Sequence, residues 1–344
     1  MSLKLSICIP TYNRAKLLED CLKSVLPQAE KRKNDVEVIV IDNASVDDTE
    51  DIVKKKMDEY SCLKYSRNRM NLGYSGNQTR CIETCSGKYM ALLCDDDIYI
   101  DGAVDEILKL IKDREYSFIA LNYYSFDRNI NIPIKKNFAP DEDIIFKRAY
   151  DVMNYPSVGH YSGFILNSTL AKNTLKTISE LRPYKTYGID RGIITEIATI
   201  MTLSTSLPAY FLGKRKLATR VQKQFDYDNL YHVCIDYFNY YHYLFKKRLI
   251  TSSDLEYRAR LVLNRLPRAI VSDGPYLKDF ELKQVINILS CWFRGKMKYD
   301  FVCYPLLILI RIATIKKLAI LIKKVYRSAK QTRSRTRVVC LNRQ

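Results

Sequence analysis

Tyr89-Met90-Ala91-Leu92-Leu93-Cys94-Asp95-Asp96-Asp97 passes from a continuous apolar run directly into three consecutive carboxylates. An unbroken apolar run suits a strand covered on both faces, the habit of parallel sheets. Carboxylates crowded at the tip of such a strand repel one another, and a hard divalent cation relieves that repulsion. Toward the N-terminus, Val36 to Ile41 is a near-continuous β-branched run ending in Asp42-Asn43-Ala44-Ser45, and Leu5 to Ile9 ends in Pro10-Thr11-Tyr12-Asn13-Arg14. Between these runs lie helical spacings. Leu17, Leu18, Cys21, Leu22 and Val25 share a face over 15–29, and Ile52, Val53 and Met57 follow the helix-start residues Ser45 to Thr49. Residues 75–86 read as a helix stopped by Gly87, and 101–112 as another. Leu63-Lys64-Tyr65 and Phe118-Ile119-Ala120-Leu121 complete a set of five strands. Strand and helix in alternation predict an α/β fold, a mostly parallel sheet flanked by helices. Ligands bind such sheets outside the carboxyl ends of the strands, where the three polar clusters fall.

Beyond residue 120 the pattern loosens. Residues 123–150 are polar, carry Pro133 and Pro140, and read as a loop-rich insertion. Tyr161 to Leu166 reads as a strand, 189–203 as a helix, Ser206 to Leu212 as a last strand, and 226–295 as a helical, tyrosine-rich region. The net charge of +18 is uneven: residues 301–344 hold eleven Lys and Arg and no acid, leaving 45 basic against 38 acidic residues, or +7, before them. The apolar run Phe301 to Ile310 is shorter than the about 20 residues a membrane crossing needs. With Arg311, Lys316, Lys317, Lys323 and Lys324 interleaved among Ile and Leu, it suits a helix lying in a membrane interface; the competing reading is a last packing helix with a basic solvated face. The ten cysteines form no Cys-x-x-Cys pair and read as reduced, mostly buried thiols, not as a zinc site. The N-terminus enters a strand pattern at once, so no secretory signal is expected.

Three residue groups carry candidate chemistry. The Asp95-Asp96-Asp97 cluster reads as a site for a divalent ion that shares phosphate oxygens with a bound diphosphate; the competing reading is a helix cap and a solvated acidic turn. Asp42, at a strand tip, could accept hydrogen bonds from a base, whereas Asp47 and Asp48 suit capping of the next helix. His160 is a candidate further metal ligand or acceptor contact, set against a structural role.

In combination and in order, Ile9-Pro10-Thr11-Tyr12-Asn13-Arg14, Val40 to Thr49, Asn71-Leu72-Gly73, and Gly87-Lys88-Tyr89 leading to Asp95-Asp96-Asp97 resemble the family 2 glycosyltransferases of the GT-A fold. The resemblance covers about residues 3–115, and the triple Asp is similar to that of members building bacterial surface polysaccharide. It implies that Pro10, Thr11, Tyr12 and Arg14 line the nucleotide pocket, that Asp42 binds a nucleobase (uracil) with Asn43 and Ser45 beside it, and that Asn71 and Gly73 approach the ribose and phosphates. Asp95 and Asp96 would also meet the donor. Mn²⁺ or Mg²⁺ would rest on Asp95, Asp96 and Asp97, with the register open. Either the motif is Asp95-x-Asp97, or Cys94 stands where the family has its first Asp and the ion rests on Asp96 and Asp97. The implied reaction is an inverting displacement from a nucleotide-sugar donor to a glycan or lipid-linked acceptor, with Asp190 or Glu196 as the base. The corresponding organisation is a catalytic domain over 1–225 (a nucleotide-sugar half to 115, an acceptor half after it), a helical region over 226–300 and a basic membrane-associating tail over 301–344. The location expected is the cytoplasmic face of the inner membrane. Two other classes compete. A nucleotidyltransferase would carry a Gly-rich loop after the first strand, where Pro10 to Arg14 has no Gly. A nucleic-acid-binding protein acting through the basic tail would leave the first 120 residues unexplained, so no nucleic-acid partner is expected.

Overall fold

The computed structural model describes residues 3–136, 139–155, 158, 160–181, 193–221, 237–273, 279–296, 298–311 and 320. The chain divides into two compact units, Met1–Lys223 and Gln224–Gln344.

The first unit is built on a ten-stranded sheet. Its N-terminal half alternates β1 (Leu5–Thr11), α1 (Ala15–Glu30), β2 (Val36–Asp42), α2 (Thr49–Glu59), β3 (Leu63–Arg67), α3 (Gly73–Thr84) and β4 (Tyr89–Leu92). The strands lie in the order β3-β2-β1-β4, all parallel. Every residue of β1 and of β2 is buried, as their apolar runs require. Leu18, Leu22 and Val25 of α1 close on Ile7, Ile9, Val38 and Val40; each such side chain is worth roughly 1.5–3 kcal/mol when fully buried. Pro10 lacks an N–H, yet lies on a central strand. The β1–β4 ladder has already ended at Cys8 and Leu92, so the missing donor falls past its end.

Beyond β4 the path is β9 (Phe164–Asn167), β6 (Phe118–Phe126), β10 (Ala209–Arg220) and β5 (Ile98–Tyr99), with β7 (Lys135–Lys136) on β6 and β8 (Ile144–Phe146) on β10. Parallel pairing continues here between β6 and β10, while β5, β7, β8 and β9 all pair antiparallel. The mostly parallel sheet expected from the sequence is thus the N-terminal half, joined through β9 to a mixed half. Two sequence readings shift. The strand expected over 161–166 begins as a 3-10 turn, Tyr161–Gly163, before β9, and the last strand runs on to Arg220. Helices α4 (Ala103–Asp113), α5 (Ser168–Leu181) and α6 (Ile194–Leu203) complete the unit.

The second unit is helical: α7 (Tyr237–Lys246), α8 (Ser252–Asp273), α9 (Asp279–Phe293), and a π-helical turn (Tyr299–Cys303) that continues into α10 (Tyr304–Arg311). Val262 and Leu266 of α8 pack with Val285 and Leu289 of α9, and Cys303 and Leu307 are buried in the same core. The apolar run 301–310 therefore enters the packed unit along one side. The basic residues after 311 lie outside the described residues. Among the described residues, no helix is long and apolar enough to cross a membrane.

Candidate active site

The carboxyl ends of β1, β2, β3 and β4 share one edge of the sheet, and the polar clusters gather there. Asp97 is buried and held on three sides. Ser162 Oγ donates to its Oδ2 at 2.5 Å, the Arg220 main-chain N–H donates to Oδ1 at 2.9 Å, and His160 Nδ1 stands 3.4 Å from Oδ2. Burial, then the neighbouring Asp96, pushes the Asp97 carboxyl up to about 8. Burial also drives His160 down to about 4, against a smaller opposing pull from Asp96. The imidazole is therefore neutral near pH 7 and its contact with Asp97 is not an ion pair. Arg220 reaches further, donating from Nε to the Asp96 carbonyl at 3.3 Å, pairing with Asp20 and lying 4.8 Å over the Phe126 ring.

Asp95 points elsewhere. Thr11 Oγ1 and Arg14 Nη1 each donate to it at 2.7 Å, and Arg14 stands 3.8 Å from Asp96. Burial raises the Asp95 carboxyl to about 6 despite Arg14. The ligand atoms that converge are Cys94 Sγ and one carboxylate oxygen each of Asp96 and Asp97, all within 4.8 Å of one another. Of the three carboxylates expected as ligands, Asp96 and Asp97 lie in this group and Asp95 does not. Past the end of β4 the chain turns, the Asp97 N–H donating to the Cys94 carbonyl at 3.1 Å, and the turn gathers the side chains of 94, 96 and 97 while Asp95 is directed to Arg14. The cluster fits a divalent cation: two carboxylates crowd together, and the buried Nδ1 of His160 beside them makes no hydrogen bond.

The second cluster lies at the tips of β2 and β3. Asp42 is fully buried; its Oδ1 accepts from the Ser45 N–H at 2.8 Å, and its Oδ2 accepts from Tyr65 Oη at 2.6 Å and Arg67 Nη1 at 2.8 Å. A carboxylate has about four acceptor directions, so three are filled and one is not. The Arg67 side chain, 36 % exposed, adds a donor beside it. Sequence reading stopped the third strand at Tyr65 and so missed Arg67, although the parallel register pairs Arg67 with Asp42.

Asn43 was expected beside the base, and its place is different. Its Nδ2 donates to Asn71 Oδ1 and the Gly73 carbonyl, while its Oδ1 accepts from Asn68 Nδ2 and the Leu72 N–H. With both donors and both acceptor directions used, it shapes the loop carrying Asn71 and Gly73 and has nothing left for a ligand. Gly73 opens α3 with φ +74°, a conformation that favours glycine. Ser45 Oγ accepts from the Asn13 N–H at 2.9 Å, and Asn13 Oδ1 accepts from the Val46 N–H at 2.8 Å, so the loops after β1 and β2 brace each other. Pro10 is buried within its strand, and Tyr12 stands 42 % exposed just past it. Asp47 caps the loop, accepting from the Ala15 N–H and from Thr49.

On the acceptor side, Glu196 sits in the first turn of α6. The start of that helix is held by Gln78 of α3, whose Oε1 accepts from the Ile193 and Ile194 N–H groups. Asp190 lies outside the described residues.

The acidic cluster just past β4 and the Asp42–Arg67 pair at the tips of β2 and β3 share the carboxyl edge of one sheet, in an α/β domain of the GT-A type. Residues 6–167 match the glycosyl transferase family 2 profile, and this part of the chain is a family 2 glycosyltransferase domain. Among relatives, the chain is 36 % identical over 107 residues to the GalNAc(5)-diNAcBac-PP-undecaprenol beta-1,3-glucosyltransferase of Campylobacter jejuni, covering 31 % of this chain and 34 % of that protein. It is 38 % identical over 94 residues to the abequosyltransferase RfbV of Salmonella typhimurium, covering 27 % and 28 %. The chain thus spans about a third of the length of these relatives. In fold it is similar to TarS of S. aureus crystallised with UDP-GlcNAc, with TM-score 0.62 at 17 % identity, over 95 % of this chain and 92 % of that one.

Proposed function

We propose that the protein transfers a sugar from a UDP-sugar to a lipid-linked glycan in bacterial surface-polysaccharide assembly. The observation that carries this reading is the shared sheet edge: the Asp42–Arg67 pair can read a base and the Asp96–Asp97 cluster can hold a diphosphate-bound cation, on a family 2 domain. The C. jejuni relative, a GalNAc(5)-diNAcBac-PP-undecaprenol glucosyltransferase, supports a lipid-linked acceptor, and the UDP-GlcNAc complex of TarS supports a uridine donor.

Asp42 and Arg67 orient the base. The braced loops of Asn13 and Ser45, and the Asn43-held loop of Asn71 and Gly73, set the path of the ribose and phosphates. Asp96 and Asp97 would hold Mn²⁺ or Mg²⁺, which when bound would supply charge stabilisation to a departing diphosphate. Arg14 holds Asp95 and, through its nearness to Asp96, limits the negative charge of the cluster. Asp190 takes the proton from the acceptor hydroxyl, with Glu196 as the alternative base. The protein works at the cytoplasmic face of the membrane. Support for that placement is the outward side of α10, where Ile308 and Leu309 are exposed with Val302 just before it, followed by the acid-free basic tail.

The deciding experiment is a thermal-shift panel of nucleoside diphosphates with Mn²⁺ and with chelator. A ligand at 100 times its dissociation constant stabilises by about 2.7 kcal/mol. UDP is expected to shift the melting temperature in Mn²⁺ alone; no shift with any nucleotide in either condition would overturn the reading.

A further inference from the structure

We propose that Cys94 gives its sulfur to the ion shell of this site, which therefore favours thiophilic divalent ions over Mg²⁺. The proposal rests on the metal-dependent reading above and goes beyond it by naming the ligand and the ion preference.

Geometry comes first. Cys94 Sγ and the Asp96 and Asp97 carboxylate oxygens lie within 4.8 Å of one another. Two ligands about 2.1–2.3 Å from a shared tetrahedral ion are themselves roughly 3.6 Å apart. Small side-chain rotations close the difference. The main chain at Cys94 is fixed, its N–H donating to Ser162 Oγ at 2.9 Å and its carbonyl accepting from Cys21 Sγ at 3.6 Å. The same Ser162 hydroxyl donates to Asp97, so one side chain sets the spacing of two of the three ligands.

Three buried thiols in this unit have main-chain partners: Cys8 donates to the Cys81 carbonyl, Cys21 to the Cys94 carbonyl and Cys85 to the Ile82 carbonyl. Cys94 instead turns its sulfur to two carboxylates. The second, independent observation is His160. Its Nδ1 is buried, makes no hydrogen bond, and stands 3.4 Å from Asp97 Oδ2. A nitrogen donor thus lies beside the S,O,O set. An all-oxygen cluster suits Mg²⁺, whereas sulfur and imidazole nitrogen suit Zn²⁺ and its heavier analogue Cd²⁺, with Mn²⁺ ahead of Mg²⁺. On binding, the sulfur–metal bond forms as the Cys94 S–H bond breaks and Asp97 gives up its carboxyl proton, both protons passing to solvent.

The test is a Cd²⁺ titration of the full-length chain with Cys234, Cys291 and Cys340 replaced by serine, read by ultraviolet sulfur-to-cadmium charge transfer. One band saturating at one equivalent is expected. Adding Cys94→Ser should abolish it and weaken Zn²⁺ binding by at least about tenfold, a loss seen even when a group that only orients a ligand is removed, and should weaken Mg²⁺ binding by less. Cys94→Asp should lose the band and narrow the gap between Zn²⁺ and Mg²⁺. A band that survives Cys94→Ser, or its absence from the parent, overturns the assignment. Mn²⁺-dependent stabilisation by UDP in the same samples separates the two readings: if it persists while the band is missing, the sulfur assignment alone fails; if it is missing from the parent as well, the transferase reading falls with it.

Discussion

Asp97 illustrates how much a single residue's surroundings decide. In the folded chain its carboxyl stays protonated to about pH 8, whereas in an unfolded chain an Asp ionises near 3.9. Between those values the folded state holds the extra proton, so stability falls as pH rises. The titratable groups around it are Asp96 and His160, with Asp95 on the far side of the strand. His160, neutral in the fold down to about pH 4, contributes the opposite slope between 4 and 6.5, and Asp95, raised to about 6, largely offsets it there. The interval from 6.5 to 8 belongs to Asp97. Without metal, the protein should lose up to about 2 kcal/mol across it, and Asp97→Asn should flatten the slope in pH-resolved urea unfolding while abolishing Mn²⁺-dependent stabilisation by UDP. Asn43 provides a contrast. Replacing it by Ala leaves the Asn68 amide and the Leu72 N–H without their acceptor, an expected cost of about 1–3 kcal/mol, with weaker UDP binding measured in the same samples. The carboxylate triplet was legible in the sequence because charge at a strand end is a local pattern. The division of labour within it was not, since Ser162 and Arg220 reach Asp97 from segments 65 and 123 residues away.

Elements tell the same story of local against distant. The four parallel strands and their helices followed directly from apolar runs and turn residues, because a strand buried on both faces carries its own signature. The short antiparallel strands did not. β5, β7 and β8 have two or three residues each, too few to show any period, and β9 is four residues entered from a 3-10 turn. Gly87, read from the sequence as a helix stop, has a further constraint that no local pattern reveals. A Cβ there would lie 2.6 Å from the Ser6 nitrogen and 2.7 Å from the Leu5 carbonyl carbon. The backbone cannot yield cheaply at that point, because Gly87 also donates to Ser6 Oγ and Ser86 to Glu37. Gly87→Ala should cost at least about 1–3 kcal/mol, the range for overpacking a filled site. Chemical denaturation measures the loss, and an unchanged midpoint would show that β1 and β4 separate more readily than their packing implies.

For the molecule as a whole, the uneven charge is the dominant feature. Basic residues near an anionic surface contribute about 1 kcal/mol each, and residues 301–344 carry eleven with no acid to offset them. Flotation with vesicles containing phosphatidylglycerol should recover the protein at low salt and release it as ionic strength rises. Replacing Ile308 and Leu309 with Ser should weaken recovery without unfolding the helical unit, whose core is served by Leu307 and Cys303 on the other side. Equal recovery on neutral vesicles would assign the attachment to the apolar face alone.

Asn77 and Gln78, adjacent on α3, face in two directions. Asn77 donates to the Ile41 carbonyl at the tip of β2, and Gln78 receives the first N–H groups of α6. The helix is thus a lever with its fulcrum among the strand tips. One arm opens at Gly73, where the donor is expected, and the other carries the start of the helix bearing Glu196. A donor that draws the first arm inward would carry the second with it, and substrates should then add in a fixed sequence, nucleotide sugar before acceptor. Gln78→Leu, which cuts the linkage, should let either come first, a change that initial-rate patterns with a dead-end UDP inhibitor would reveal.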